Sequence, residues 1–186
     1  MPDERSAKSM MEEARGWDRD QLLEIWEMLK GGEEVPEWAP GKAFEYLVVQ
    51  AFRLEGAEVR WPFQVTYPQK FGLMEQLDGL VYLEHRAFLL ESKALTEPAA
   101  IEAVAKLRFR LESRPPATMA VLFSISDFTR PTEVFTQFAS PLNVLLWARA
   151  DLDIALRSES MVEGLRQKLE YAIEYGLPLY TFASVE

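Results

Sequence analysis

The sequence predicts an α/β domain built on a mixed sheet with helices on both of its faces. Segments whose apolar residues recur at helical spacing alternate along the chain with segments typical of strands. Two of the strand segments, 87–95 and 117–125, are apolar on both faces over most of their length, as in strands that are covered on both sides. A chain that alternates helices with buried strands favours a layered α/β architecture.

Residues 1–40 are expected to form a helical appendage to a main domain that spans residues 41–186. Asp18 followed by Gln21 is typical of the capping box that begins a helix. Four apolar residues then recur at helical spacing: Leu22, Ile25, Trp26 and Leu29. Two glycines follow, and the stretch 31–41 is expected to link the appendage to the main domain.

The main domain is expected to begin with a helix over 42–54 and a strand across 59–65, in which Pro62 introduces a bulge or an edge. Residues 68–75 are expected to form a loop. The remaining predicted elements are strands over 77–84 and 87–95, a helix over 99–113, a strand over 117–125, a short helix over 131–138, a strand over 142–147, a helix over 159–175 and a final strand over 177–183. This order of helices and strands predicts a single mixed sheet.

The composition restricts the chemistry that the chain can perform. There is no cysteine, which excludes disulfides, thiolate zinc sites and cysteine nucleophiles, and His85 is the only histidine. Any metal site is therefore expected to use oxygen ligands, which suit Mg²⁺, Mn²⁺ or Ca²⁺. No apolar run approaches the roughly 18 residues that span a bilayer, and the N-terminus lacks the pattern of a signal peptide, so a cytoplasmic protein is expected.

The net charge of −10 argues against a chain that binds nucleic acid through a broadly basic surface. A local basic site is still compatible with that charge, because Arg108, Arg110 and Arg114 cluster in one short segment. These arginines would either contact phosphate or form the solvated face of the helix. Lys70 lies in the predicted loop, from which it could also reach a nucleic acid.

Three residues of the predicted hairpin form the main candidate site. Glu91 and Lys93 are two residues apart on one strand, so their side chains leave the same face. A turn centred on Glu84 and His85 would place Asp78 directly opposite Glu91, with Cβ atoms roughly 4.5–5.5 Å apart. Two carboxylates this close repel each other, and burial strengthens the repulsion.

A divalent cation between Asp78 and Glu91 would remove that repulsion, and the backbone carbonyl of Ser92 would add another oxygen ligand. Lys93 could orient or deprotonate a water molecule, or offset charge that builds on a phosphate. Glu45 lies on the apolar side of the first helix of the main domain, where a carboxylate needs a partner that a nearby metal would supply. The alternative is an ion-pair cluster on the surface of the hairpin, which would contribute little to stability.

Three short motifs follow one another in the chain: G-K-A-F-E at 41–45, Q-L-D-G at 76–79 and E-S-K at 91–93. With the helix–strand–hairpin–helix order around them, they resemble the PD-(D/E)XK nuclease superfamily, and within it the Mrr-like catalytic domains of restriction endonucleases. The resemblance covers residues 41–157 and includes A-V-L-F-S-I-S-D-F-T at 120–129. It implies a restriction endonuclease-like fold.

The resemblance also implies roles for individual residues. Asp78 and Glu91 would bind Mg²⁺ or Mn²⁺, and Lys93 would be the catalytic lysine. Glu45 would be the acidic residue of the first helix, and Gln76 stands where such domains often place a polar residue near the site. The sequence departs from the family pattern at two positions. A leucine precedes Asp78 where the motif is named for proline, and Glu91 stands where Mrr-like domains often have glutamine.

These observations predict a metal-dependent endonuclease that hydrolyses phosphodiester bonds, with DNA as the expected substrate and RNA as an open alternative. Residues 1–40 are too few for a separate DNA-recognition domain, so recognition is expected to come from a partner protein or from a homodimer. The rival hypothesis is a noncatalytic scaffold that uses a nuclease fold within a larger assembly for processing nucleic acid. The acidic charge and the short chain favour that rival.

Overall fold

The computed structural model describes residues 7–66 and 73–181 of the chain. The strands in these ranges are β1 Glu58–Arg60, β2 Phe63–Thr66, β3 Leu73–Leu77, β4 Gly79–Leu83, β5 Arg86–Lys93, β6 Met119–Ser124 and β7 Val144–Trp147. The helices are α1 Ala7–Ala14, α2 Arg19–Gly31, α3 Pro40–Leu54, α4 Ile101–Glu112, α5 Arg130–Phe138, α6 Arg149–Ser158 and α7 Met161–Tyr175. None of these helices is both long and apolar enough to cross a membrane.

The central sheet has five strands in the order β1-β4-β5-β6-β7, and β2 pairs with β3 in a separate two-stranded ribbon. β4 runs antiparallel to both of its neighbours, β1 and β5, whereas β5, β6 and β7 run parallel to one another. The parallel connections pass through α4 and α5, as parallel strands require a crossover. The predicted mixed sheet is therefore confirmed.

The hairpin of β4 and β5 has the predicted register. Gly79 pairs with Leu90 and Leu83 pairs with Arg86, so the turn is centred on two residues. Those residues are Glu84 and His85, whose φ angles of 49° and 66° are both positive. Two central residues with positive φ are the mark of the hairpin turn whose twist matches that of the flanking strands. His85 is a turn residue in this structure.

The side chains of β5 alternate between two hydrophobic cores. Phe88 and Leu90 belong to the larger core, to which α1, α2, α3, α6 and α7 contribute. Leu89 belongs to the second core, on the opposite face of the sheet beneath α4. α5 packs against α4 and β7 on that second face. Helices thus cover both faces of the sheet, as the apolar strand segments predict.

Residues from the first 40 positions share the larger core with α3. Trp17 and Trp26 are buried there, and the indole N–H of Trp26 donates to Asp153 of α6 at 3.0 Å. The capping box at the start of α2 is confirmed, because Asp18 and Gln21 exchange two hydrogen bonds of 3.0 Å. The boundary between appendage and main domain at residue 40 stays a prediction.

Several elements differ from the sequence-based expectation. The single strand expected over 59–65 is two strands, β1 and β2, on either side of a cis Trp61–Pro62 bond. The loop expected over 68–75 contains the first residues of β3, and its residues 68–72 lie outside the described part of the chain. The final strand is a single bridge between Leu146 and Leu179. Helix α6 was not predicted, because charged residues and a capping position without a side-chain hydrogen bond obscure its apolar stripe.

Candidate active site

The C-terminal end of β5 carries the predicted pair Glu91 and Lys93, on the face of the sheet that α4 covers. Asp78 lies in a bend between β3 and β4, one residue beyond the last pair of the hairpin ladder. Its Oδ2 accepts a hydrogen bond of 2.5 Å from the backbone N–H of Ser92. The hairpin therefore holds Asp78 directly against the strand segment that contains Glu91 and Lys93.

Gly79 allows α3 to approach this hairpin closely. A Cβ atom at Gly79 would lie 3.0 Å from Cγ2 of Val49, so the Val49 side chain would have to shift by a few tenths of an ångström to admit a larger residue. Val49 follows Glu45 by one helical turn, so the two side chains share a face of α3. The close contact at Gly79 thus brings the face of α3 that carries Glu45 towards the hairpin.

Glu91 is buried, with 5% of its surface exposed, and three cationic side chains contact its carboxylate. Oε1 lies 2.8 Å from Nζ of Lys93 and 3.4 Å from Nζ of Lys106, and Oε2 lies 2.6 Å from a guanidinium nitrogen of Arg110. Burial by itself raises the pKa of Glu91, but the hydrogen bond and charges of these cations outweigh burial and lower that pKa. Glu91 is therefore held as a carboxylate.

Asp78 is in the opposite electrostatic situation. Burial raises the pKa of Asp78 to about 7, and the negative charges of Glu45 and Glu91 add to the effect of burial. The N–H of Ser92 and the charge of Lys42 act in the opposite direction but do not outweigh burial. Asp78 is a carboxyl group whose ionised form is destabilised at neutral pH by its surroundings.

Glu45 is a third carboxylate whose charge influences Asp78. It is 8% exposed near the start of α3, and Lys42, one turn earlier, donates a hydrogen bond to its Oε2. The pKa of Glu45 is raised, mainly by burial and also by the charge of Glu91. The hydrogen bond and charge of Lys42 act in the opposite direction but do not outweigh burial. Sequence reasoning missed Lys42, although its position three residues before Glu45 on a helix is a visible signal for an ion pair.

The residues predicted to bind nucleic acid differ in their exposure and in their hydrogen-bond partners. Arg110 is 10% exposed in its side chain and bridges Glu91 to the backbone carbonyl of Gln76, at 2.6 and 2.8 Å. The side chain of Arg108 donates to the carbonyl oxygens of Ser140 and Pro141 at 3.0 and 2.8 Å. Gln76 itself is exposed. Phosphate contact by these residues stays a prediction, and Lys70 lies outside the described residues.

The residue types suit a hard divalent cation, since carboxylates are the ligands that Mg²⁺ and Mn²⁺ prefer. The repulsion that Asp78 receives from Glu45 and Glu91 is also of the kind that such an ion relieves. The positions of these side chains, however, do not form a complete set of metal ligands. Within residues 7–66 and 73–181, no group of three or more Asp, Glu or His side chains converges as metal ligands do, and both oxygens of Glu91 are in ion pairs.

Comparisons with known proteins identify a similar fold but do not assign the chain to a family. No family model matches the sequence, and no curated protein matches it. A crystal structure of protein VC1899 from Vibrio cholerae aligns over 87% of this chain and 45% of its own, with a TM-score of 0.54 and 14% identity. That likeness shows a shared fold alone, and this chain spans less than half of VC1899.

Two further solved structures align at TM-scores below 0.5. A protein of unknown function, AF1548, matches over 72% of this chain and 77% of its own, with a TM-score of 0.49 and 14% identity. The MspJI restriction endonuclease in complex with a 27-mer oligonucleotide matches over 100% of this chain and 39% of its own, with a TM-score of 0.45 and 17% identity. Alignments at this level carry no argument about activity, so the assignment to the PD-(D/E)XK superfamily remains a proposal.

Proposed function

We propose that this protein is a metal-dependent nuclease of the PD-(D/E)XK type that hydrolyses phosphodiester bonds in DNA. The observation that carries the proposal is the half-buried Asp78, which the hairpin holds against β5 although Glu45 and Glu91 both oppose its ionisation. Buried carboxylates that repel one another destabilise a fold. Such a group is retained more readily where it serves a function, and perturbed carboxyl groups are frequent in active sites.

In this proposal Asp78 and Glu91 hold Mg²⁺ or Mn²⁺ together with the carbonyl oxygen of Ser92, and Glu45 supports them. The bound metal ion would lower the pKa of a water molecule and stabilise the leaving oxygen. Lys93 donates one hydrogen bond to Glu91, which leaves two of its three N–H donors for an attacking water and a phosphate oxygen. Lys93 would thus orient the water and offset charge on the phosphate.

The charge of the site supports a phosphate-containing substrate. Four cationic side chains, those of Lys42, Lys93, Lys106 and Arg110, contact the carboxylates of Glu45 and Glu91. With Asp78 the site holds three carboxylates against these four cations, so positive charge is in slight excess there, although the chain as a whole has a net charge of −10. A small basic site in an acidic protein suits local phosphate binding better than tight nonspecific binding, so recognition would come from a partner protein or a second copy of the chain.

Cleavage assays on Asp78→Asn test the proposal. Native protein is expected to cleave DNA in the presence of Mg²⁺ or Mn²⁺ and to stop when EDTA is added. Asp78→Asn should be inactive, because it lacks a negatively charged ligand, while the exposed Glu24→Gln should match the native rate. Single-stranded DNA and RNA in parallel reactions identify the substrate. Equal rates for Asp78→Asn and the native chain would exclude the proposed metal site.

A noncatalytic scaffold is the second candidate function. The observation in its favour is that Lys93, Lys106 and Arg110 already neutralise Glu91, so that the described residues form a self-contained ion-pair network. Thermal unfolding with and without Mg²⁺ or Mn²⁺ separates the two candidates. A nuclease whose folded state binds the ion should gain stability with ion concentration. A scaffold with a closed ion-pair network should show no such gain.

A further inference from the structure

A cavity of about 280 Å³ opens between the end of β5 and the beginning of α4. Three charged residues, Lys93, Glu102 and Lys106, are among the residues that line it, and the other lining residues are apolar. Its volume is close to the lower end of the range for small-molecule sites, roughly 300–1,000 Å³. The cavity therefore adjoins the candidate active site through Lys93.

The two lysines share a single carboxylate oxygen. Both ammonium groups contact Oε1 of Glu91, Lys93 at 2.8 Å and Lys106 at the long distance of 3.4 Å. Arg110 also forms an ion pair with Glu91, so three cations contact a single carboxylate. The side chain of Lys106 is 55% exposed. Its ammonium group thus combines a weak internal contact with ready access to solvent at the edge of the cavity.

Lys106 differs in this respect from two arginines on the same helix. Arg110 is 10% exposed in its side chain and bridges Glu91 to the carbonyl oxygen of Gln76. Arg108 donates to two carbonyl oxygens in the segment between α5 and β7. These contacts fix α4 to the rest of the domain. The cation of α4 that faces the cavity is Lys106.

We infer that this cavity is a subsite for a backbone phosphate of a nucleic-acid strand, in which the ammonium group of Lys106 is the contact. The inference rests on the proposed function and adds to it a second position on the substrate strand. An ammonium group with three donors suits a phosphate oxygen, and contacts of this kind position a strand without reading its sequence. The cation belongs to the chain itself, so the contact requires no divalent ion.

The test measures DNA binding in EDTA, where cleavage does not occur. Fluorescence anisotropy with a labelled oligonucleotide gives the binding constant at several salt concentrations for native protein, Lys106→Gln and the control Lys8→Gln. Lys8 carries the same charge on α1 and is 79% exposed in its side chain. Loss of one phosphate contact should decrease the steepness of the negative slope of log K against log salt by about 0.7–0.9. Lys106→Gln should show that decrease, with weaker binding at low salt, and Lys8→Gln should show neither.

The outcomes separate the subsite from the function that it serves. Cleavage by the native chain together with an unchanged salt slope for Lys106→Gln would overturn the subsite and leave the nuclease proposal intact. A native chain that neither binds nor cleaves DNA or RNA would overturn both. A calorimetric titration with inorganic phosphate then tests whether the cavity binds free phosphate instead of a nucleic-acid strand. If Lys106→Gln loses phosphate binding but keeps native DNA binding, the cavity serves free phosphate and the strand assignment is wrong.

Discussion

Replacing Asp78 with asparagine should make the folded protein more stable at alkaline pH. The pKa of Asp78 is raised from 3.8 to about 7 by burial and by two neighbouring carboxylates, so folding favours its protonated form. Asparagine is neutral at every pH and keeps an oxygen that can accept the hydrogen bond from Ser92. The substitution therefore removes a destabilising charge without removing the local hydrogen bond.

The size of the effect follows from the difference between the two pKa values. That difference is about three pH units, and each unit corresponds to about 1.4 kcal/mol. The ionised carboxylate of Asp78 therefore costs the folded state up to about 4 kcal/mol above neutral pH. Since the folded-state pKa is the higher one, this cost is absent below about pH 4, grows between about pH 4 and 7, and is complete above about pH 7.

Urea unfolding in EDTA at about pH 5 and pH 8 measures this cost. The stability gained by Asp78→Asn should increase by about 2–3 kcal/mol between the two pH values. Glu24→Gln, which replaces an exposed carboxylate, is the control and should give only a small change in stability. A variant Asp78→Asn that is less stable than the native chain at pH 8, or that gains equally at both pH values, would refute the reasoning.

Two further predictions concern the fold. Lys168→Met should lower the free energy of unfolding by about 3–5 kcal/mol in urea denaturation, because it leaves the carboxylate of Asp151 buried without the ammonium group that lies 2.8 Å away. A loss below about 1 kcal/mol would mean that this fully buried pair does not support the packing of α7. Asp18→Ala should cost about 1 kcal/mol in the same assay, because it removes the capping box of α2. Unchanged stability would show that the cap contributes nothing.

The sequence predicts those parts of the site that depend on local geometry. The register of the hairpin follows from the alternation of its strands and from a two-residue turn, so Glu91 and Lys93 could be assigned to one face. The capping box of α2 is another feature of residues close together in the chain.

The sequence does not predict which carboxylates the long cationic side chains contact. Arg110 and Lys106 both reach Glu91 because α4 packs on the same face of the sheet, mainly against β6, and that placement brings together residues 15 to 19 positions apart. The same holds for Lys168, whose helical position gives no sign that it pairs with Asp151 inside the core. Asp78 was expected on a strand and lies in a bend, a difference of one residue at a strand boundary, where assignment from sequence is least certain.

Plasmid cleavage by native protein and Lys93→Ala, in Mg²⁺ and in Mn²⁺, tests the central claim most directly. Lys93 ends β5 with 28% of its side chain exposed, so truncation should spare the fold, which circular dichroism verifies. The account predicts that the native chain converts supercoiled plasmid to open circular or linear DNA and that Lys93→Ala does not. Cleavage by Lys93→Ala at the native rate, or no cleavage by the native chain on methylated and unmethylated plasmid, single-stranded DNA and RNA, would contradict it.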